Sequence, residues 1–321
     1  MSVAHLAFEL RHVTKRFGTT RALDDVTLAL PADRIAGLIG KNGSGKTTLL
    51  RHVIGLQLPT TGACVTLGTP TPELGPAELS RIGVVQQDDR FLPWMRVEQQ
   101  IRYVSTFYER WDHALEQQLV QLLELDREAR VGALSPGNAQ KMAIVLAMCH
   151  HPALLLLDEP LSDLDPIARE ATLSLLLERF RSEPMTIVIS SHILRDIERI
   201  VDSVVCLHEG RLVAHEPLDA LQERFAEWIV ASPAGRLPIR FSEPFVLAQQ
   251  GDGYQARLTV RDPVRHVDSF RARYDVEIRA QALNLERAFP LLLDGHANGN
   301  GSVPDESPAV LARTSDAGGE S

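Results

Sequence analysis

The feature that most constrains this chain is a glycine-rich segment, GKNGSGKTT, at residues 40–48. It places Gly40, Gly45, Lys46 and Thr47 in the G-x-x-x-x-G-K-[ST] spacing that is typical of a phosphate-binding loop. The strand-like run RIAGLIG leads into it, and the helical pattern GKTTLLRHVIG begins within it. The segment, called the phosphate loop below, therefore predicts a nucleotide site at a strand-to-helix turn of an α/β fold.

The residue types of the phosphate loop suit a polyphosphate. Its glycines allow the backbone to turn successive N–H groups inward, and the N-terminus of the following helix adds partial positive charge. Lys46 can reach the β and γ phosphates, and the Thr47 hydroxyl can ligate Mg²⁺. We therefore expect ATP and Mg²⁺ to bind here, with contacts from Gly40, Asn42, Gly43, Ser44, Gly45, Lys46, Thr47 and Thr48.

A second candidate site follows the run of four leucines in LLLLDEP. An apolar strand here delivers Asp158 and Glu159 at its carboxyl end, which is where ligands bind in parallel α/β sheets. Asp158 is suited to hold Mg²⁺ through water, and Glu159 to orient and activate the water that attacks the γ phosphate. The pair predicts that ATP is hydrolysed.

Hydrophobic patterning gives the domain organisation. RIGVV, ALLLLDE and MTIVIS have the length and continuous apolar character of buried parallel strands, and VEQQIRYVSTFYER and HALEQQLVQLLEL are amphipathic helical stretches. Beyond Leu221, FVLAQQ, YQARLTV and VEIRAQAL predict strands, while DPVRHVDSFRARY and LNLERAFPLLL predict helices. We expect a nucleotide-binding domain at residues 1–222 with a helical subdomain at about 88–150, an α+β domain at 223–294, and a disordered tail at 295–321.

Composition narrows the class of function. A formal net charge of -9 gives no overall attraction to a polyanion, so no nucleic-acid partner is expected. Cys64, Cys149 and Cys206 form no CxxC pair, which indicates neither a zinc site nor a disulfide framework and favours a cytosolic location. The amino terminus lacks the apolar core of a secretory signal, and no stretch approaches the roughly 20 apolar residues that a membrane-spanning helix needs.

The order of the motifs, with LSPGNAQ at residues 134–140, resembles the nucleotide-binding subunit of ATP-binding cassette (ABC) transporters over roughly residues 5–222. The resemblance implies a P-loop NTPase core of ABC ATPase type with antiparallel β and helical subdomains, in which two chains sandwich two ATP molecules. LSPGNAQ is similar to the family's LSGGQ-type signature loop, so Ser135 and Gly137 would complete the ATP site of the opposing subunit. Pro136 departs from that pattern. We expect Ser135 to cap a helix and Pro136 to occupy its first position, where a missing N–H matters least.

The same resemblance assigns two further polar residues. Gln87, with Gln86 as the adjacent alternative, matches the Q-loop glutamine that senses Mg²⁺ or the attacking water. His192, in VISSHIL, is similar to the switch histidine that hydrogen-bonds the γ phosphate and holds the attacking water in register with Glu159. Its place after an apolar strand puts it at the edge of the sheet that the other predicted site residues share.

Three other positions take their expected roles from the family. Phe17 matches the aromatic residue that stacks on adenine. Asp163, in LSDLD, stands where the family usually has a small residue, in a loop that crosses the dimer interface, and its effect on closure is left open. Phe91, Leu92 and Trp94 lie where membrane partners contact such subunits, so they are either a docking surface or packing for the helical subdomain.

The kind of ABC protein follows from spacing. The short interval between Lys46 and Leu134 excludes the coiled-coil arms of chromosome-type ATPases, and a single phosphate loop argues against tandem translation factors. We expect a transport ATPase on the cytoplasmic face of the membrane that pairs with a permease and with a second copy of itself or a homologous ATPase subunit. ALNLERAF, at residues 282–289, is similar to endings of two-component (ABC-2 type) exporters, so we expect export. Import, and a soluble regulatory or nucleic-acid-acting ATPase, stay open as alternatives.

Overall fold

The computed structural model describes residues 5–87, 91–233, 235–238 and 240–297. The strands are β1 Leu6–Phe17, β2 Thr20–Pro31, β3 Ile35–Ile39, β4 Thr61–Thr66, β5 Thr69–Pro70, β6 Ile82–Val85, β7 Leu154–Asp158, β8 Thr186–Ser190, β9 Ser203–His208, β10 Arg211–Pro217, β11 Phe225–Ala231, β12 Val246–Gly251, β13 Gln255–Arg261 and β14 Glu277–Ala282. The α-helices are α1 Lys46–Val53, α2 Pro76–Leu79, α3 Val97–Ser105, α4 His113–Leu122, α5 Pro136–Met148, α6 Pro166–Ser182, α7 Leu194–Glu198, α8 Leu218–Arg224, α9 Pro263–Tyr274 and α10 Leu285–Ala297. Short 3-10 turns lie at Thr71–Glu73 and Val131–Ala133. Residues 298–321 of the predicted disordered tail, and residues 88–90 at the start of the predicted helical subdomain, lie outside the described residues.

The central sheet has the strand order β10-β9-β3-β8-β7-β6. Its strands run parallel except for β10, which pairs antiparallel with β9. Side chains alternate along β7, so that Leu154 and Leu156 join one apolar cluster while Leu155 and Leu157 join another on the opposite face. Because both faces are covered, the strands read as continuous apolar runs, and the predicted α/β class is confirmed.

The predicted antiparallel subdomain is also present. Strands β1, β2, β4 and β5 form a sheet in the order β2-β1-β4-β5, with every pair antiparallel. Its inward residues, such as Phe8 and Leu28, share a core with Leu49 and Val53 of helix α1. This packing seats helix α1, and the phosphate loop before it, between the two sheets.

The helical subdomain contains α3, α4 and α5, and α5 packs against both of the others. The prediction that α3 extends to Arg110 was wrong: the hydroxyls of Ser105 and Thr106 donate to carbonyls three residues back and close the helix end. Helix α4 also ends before the predicted Leu125. Glu124 adopts a left-handed φ of 52°, and the N–H groups of Glu124 and Leu125 donate to Gln121 and Val120.

A third sheet, in the order β12-β13-β11-β14, packs with α9 in the carboxyl-terminal α+β region, whereas α10 returns to pack against α7, α8 and β10 of the nucleotide-binding core. Its strands are all antiparallel, and Trp228 and Phe270 are fully buried between the sheet and α9. Sequence reasoning placed β12, β13, β14 and both helices but omitted β11, which is a central strand. Helix α8 runs into β11 at Phe225 with no intervening turn residue, so the pattern carried no boundary signal there.

Candidate active site

The phosphate loop joins strand β3 to helix α1, as its spacing predicted. Gly45 has a φ of 106°, and a Cβ at this position would lie 2.6 Å from the Ala22 carbonyl oxygen, so conformation and space both require glycine. Helix α1 begins at Lys46 without a side-chain cap. The N–H groups of its first turn have no acceptor within the helix and form the positive end that favours phosphate.

Lys46 is buried at the base of this loop, with 6% of its surface exposed. Its ammonium donates to the Gly40 carbonyl oxygen at 2.8 Å and lies 3.6 Å from Glu159 Oε1. A buried ammonium requires such partners, because an unpaired charge in the interior is costly. Lys46 therefore connects the phosphate loop with the carboxylate that follows strand β7.

A chain of hydrogen bonds links the first turn of helix α1 to the ends of strands β7 and β8. The Thr47 hydroxyl donates to Asp158 Oδ2 at 2.6 Å, and the Ser190 hydroxyl donates to Asp158 Oδ1 at 2.7 Å. Ser190 Oγ also accepts from the Glu159 N–H at 2.8 Å. Sequence reasoning missed Ser190. Its only signal was position, because the last residue of β8 pairs in register with Asp158 of β7.

Glu159 and His192 form the second half of this cluster. Glu159 is 7% exposed and holds a left-handed φ of 52°, an uncommon conformation for a residue other than glycine. Its Oε2 accepts from His192 at 2.7 Å through Nδ1 and at 3.2 Å through the backbone N–H. Since a carboxylate only accepts, Nδ1 carries the hydrogen. The His192 side chain remains 55% exposed and so can reach a bound molecule.

The cluster has the donor set that a Mg²⁺-bound triphosphate needs. Ser44 Oγ and Glu159 Oε1 are buried and have no hydrogen-bond partner among the described residues, whereas such atoms are normally paired. Thr47 and Asp158 offer hydroxyl and carboxylate oxygens, the ligands that Mg²⁺ prefers. The residues therefore fit both the phosphate chain and the ion.

Ser135 and Gly137, which were predicted to contact the ATP of the opposing subunit, lie in a separate cleft, named the signature cleft here. Its lining residues are Ser135, Pro136, Gly137, Asn138, Lys141, Asp163, Leu164 and Asp165, and none of the described lining residues belongs to the phosphate loop. Ser135 caps α5, with its hydroxyl accepting from the Asn138 N–H at 3.2 Å, and Pro136 is the first helical residue, as predicted. A Cβ on Gly137 would lie 2.6 Å from the Asp163 carbonyl oxygen. Only glycine allows this approach.

Comparisons with known proteins decide the family. Residues 23–162 match the ABC transporter family model. The chain is 30% identical over 292 residues to the Nod factor export ATP-binding protein I of Cupriavidus pinatubonensis, a similarity that covers 88% of this chain and 89% of that protein. The chain belongs to the ABC transporter family. It is the ATP-binding and ATP-hydrolysing subunit of such a transporter.

Two further similarities agree with this assignment to the ABC family. The bacitracin transport ATP-binding protein BcrA of Enterococcus faecalis is 30% identical over 226 residues, covering 70% of this chain and 73% of BcrA. A solved ATP-binding subunit of an ABC transporter superposes with a TM-score of 0.62 at 28% identity, covering 67% of this chain and 92% of that structure.

Among the helices of the described residues, none has the length and apolar character required to cross a bilayer.

Gln86 and Gln87 lie at the same edge of the central sheet as Asp158 and Glu159 of this ABC subunit. Strand β6 pairs with β7 so that Val85 lies opposite Leu157, and Gln87 follows two positions later. Gln87 is exposed, whereas Gln86 is half-buried and has a contact of its own. The register thus brings Gln87 to the edge where Asp158 lies.

Of three other predicted contacts, Asn42 and Thr48 belong to the phosphate loop itself and Phe17 is the last residue of β1. Phe17 is 49% exposed at the end of β1, with the Lys15 ammonium 5.1 Å from the centre of its ring. Phe17 pairs with Thr20 of β2. Two residues further along β2 is Ala22, whose carbonyl oxygen lies against Gly45. Asn42 is exposed, and the Thr48 carbonyl accepts from His52 Nδ1 at 2.7 Å.

The segment predicted to face a membrane partner divides into two parts. Phe91 and Leu92 are half-buried, and Phe91 packs against the main apolar cluster of the protein. Trp94 is 68% exposed. Tyr103 and Phe107 of the same subdomain are also exposed and meet edge to face, with ring centres 5.2 Å apart. Sequence reasoning named only the first three of these side chains.

Proposed function

We propose that this chain and a second copy of it, or a homologous ATPase subunit, close around two ATP molecules and thereby move a separately encoded membrane permease. The observation that carries this proposal is the buried Glu159, which lies between Lys46 and His192 beside the hydrogen-bonded Thr47 and Asp158. Hydrolysis removes the γ phosphate that bridges the two halves, and the dimer reopens.

Binding is assigned to the phosphate loop and its neighbours. The backbone N–H groups of residues 40–48 and the Lys46 ammonium hold the phosphates, and Phe17 stacks on adenine. Thr47, Asp158 and Gln87 are assigned to Mg²⁺, which when bound neutralises charge that develops on the phosphates. The short contact between Thr47 and Asp158 supports this set, because it places a hydroxyl and a carboxylate together at one sheet edge.

Catalysis is assigned to Glu159 and His192, together with the Lys46 ammonium that holds the γ phosphate. The Glu159 carboxylate accepts a proton from the attacking water and aligns it for in-line displacement. His192 holds that carboxylate through Nδ1, and its half-exposed ring contacts the γ phosphate. The left-handed backbone of Glu159 and its hydrogen bond to Ser190 support a fixed orientation of the carboxylate.

The other half of each ATP site is assigned to the signature cleft of the second chain. Ser135 Oγ and the Gly137 N–H lie at the N-terminal end of helix α5, whose dipole favours a γ phosphate. Pro136 removes only an N–H that the first turn of a helix leaves unpaired. The separation of this cleft from the phosphate loop within one chain supports a shared site.

We place the permease contact on the exposed aromatic side chains Trp94, Tyr103 and Phe107, because exposed aromatic groups are frequent anchors at interfaces. Such docking puts the subunit on the cytoplasmic face of the membrane.

The names of two relatives, Nod factor export and bacitracin transport ATP-binding proteins, favour export as the direction of transport. Import and a soluble regulatory or nucleic-acid-acting ATPase are the alternatives.

The variant Glu159→Gln tests the catalytic assignment. The amide keeps the size of the side chain but cannot take the proton, so ATP binding should persist while turnover falls by about 10²-fold or more. ATP-bound dimers should accumulate, which size-exclusion chromatography with ATP would measure. Glu178→Gln, at an exposed position of α6, is the matched control. Normal turnover in Glu159→Gln would remove Glu159 from its proposed role.

Purification of the full chain from membranes tests the partner. A transport ATPase should be recovered with a multi-helix membrane protein, and replacement of Trp94 by alanine should weaken that recovery without changing ATP binding. Recovery of the chain only in soluble complexes with RNA or DNA would favour the alternative and contradict the proposal.

A further inference from the structure

The carboxyl-terminal region contacts the element that follows His192. Helix α7 begins at Leu194, two residues after the histidine, and helix α10 packs against it. Leu285, Ala288 and Leu292 of α10 are buried in the same apolar cluster as Ile197 of α7. A segment distant in sequence therefore forms part of the support for the catalytic edge.

Polar contacts fix the start of α10 on α7. Glu198 Oε1 accepts from the Leu285 N–H at 2.9 Å and from Gln222 Nε2 of α8 at 2.9 Å. Arg195, in the same short helix, pairs with Glu286. A carboxylate at the N-terminus of a helix is favoured by the helix dipole, so Glu198 acts as a cap for α10 that another helix supplies.

Further ion pairs continue this connection on both sides. Asp196 of α7 lies 3.3 Å from Arg169, which ties α7 to α6. On the other side, Arg287 of α10 pairs with the buried Glu227 of strand β11. Helix α7 is thus held between the nucleotide-binding core and the central strand of the carboxyl-terminal sheet.

We propose that Glu198 is a positioning residue: by capping α10 it sets the placement of α7, and thereby of the His192 ring against Glu159. The carboxyl-terminal region then governs the rate of hydrolysis through His192 rather than ATP affinity. This inference rests on the proposed role of His192 in turnover. It assigns a function to Ala282–Phe289, since the capped N–H belongs to Leu285 within that segment.

Steady-state ATPase kinetics of the full chain test this role. Glu198→Ala should lower kcat about tenfold while KM for ATP changes less than about twofold, because only the orientation of His192 is lost. Glu198→Gln keeps an oxygen acceptor and should retain most of the activity. Glu286→Gln, at a half-exposed position, weakens a different contact between α7 and α10, the ion pair with Arg195, and should lower kcat about twofold. Glu178→Ala on α6 is the control and should match the unaltered chain.

A double variant separates positioning from general damage. If Glu198 acts through His192, Glu198→Ala combined with His192→Ala should have the kcat of His192→Ala alone. Three results would overturn this inference alone. The first is a double variant in which the separate losses of kcat multiply. The others are a Glu198→Ala variant with unchanged kcat and one whose KM rises at constant kcat. Normal turnover in His192→Ala would instead contradict the proposed function, and this inference with it.

Discussion

At the carboxyl edge of the central sheet, Thr47, Asp158 and Ser190 are joined by hydrogen bonds, whereas in the carboxyl-terminal sheet Trp228 meets Phe270 ring to ring at 5.3 Å. The first region depends on particular oxygen and nitrogen atoms at fixed places, so few residue types can serve. The second needs only apolar volume, which many sequences supply. A motif therefore identifies the first region, and only hydrophobic patterning indicates the second.

The largest expected effect is a loss of stability in the apolar region. Trp228→Ala leaves a cavity in the carboxyl-terminal sheet and should cost about 3–5 kcal/mol of unfolding free energy, measured by circular dichroism in denaturant. ATP affinity should change little, because the ATP site depends on the other region. The exposed Trp94 gives the control, since its replacement by alanine should cost at most about 0.5 kcal/mol. Loss of ATP binding in Trp228→Ala would show that the two regions are not separate.

A pH change acts on a buried histidine that precedes strand β7. His150 lies between α5 and β7, stacks on Tyr108 at 4.1 Å, and burial lowers its pKa to about 4. Between an unfolded pKa near 6.5 and the folded value, the unfolded chain binds a proton that the folded chain does not, so stability falls as pH falls. Lowering the pH from 7 to 5 should cost about 2 kcal/mol through this group.

Urea unfolding at the two pH values measures this loss. His150→Phe keeps a ring against Tyr108 but cannot titrate, and it should show a smaller drop. An equal drop in that variant would assign the acid sensitivity to other groups.

The smallest expected effect is a loss of turnover when one hydroxyl is removed from the polar region. Ser190→Ala leaves Asp158 Oδ1 and the Glu159 N–H without the hydroxyl between them, so turnover should fall about tenfold. Retained ATP affinity would separate this effect from a loss of binding. The exposed Ser174→Ala on α6 is the matched control. Unchanged turnover in Ser190→Ala would mean that the hydrogen-bond chain does not orient Glu159.

The same contrast explains what could be predicted from the sequence. Apolar runs and the phosphate loop indicated β3, β7, β8 and α1, because buried parallel strands and phosphate chemistry restrict residue types strongly. Strand β11 was missed since α8 passes into it without a turn residue. Ser190 was missed because only the register of β7 with β8 brings it to Asp158. The contact of Glu198 with Leu285 joins residues far apart in the chain, so no local sequence pattern indicates it.

Mixing two inactive chains tests the shared ATP site most directly. Lys46→Ala disables the phosphate loop of one chain. Ser135→Asp in the other keeps a helix cap but places a negative charge against the γ phosphate. In a mixed dimer one composite site carries both changes and the other is intact. If half of the dimers are mixed, ATPase activity should return to about a quarter of that of the unaltered chain. A mixture no more active than its separate components would contradict a site shared between two chains.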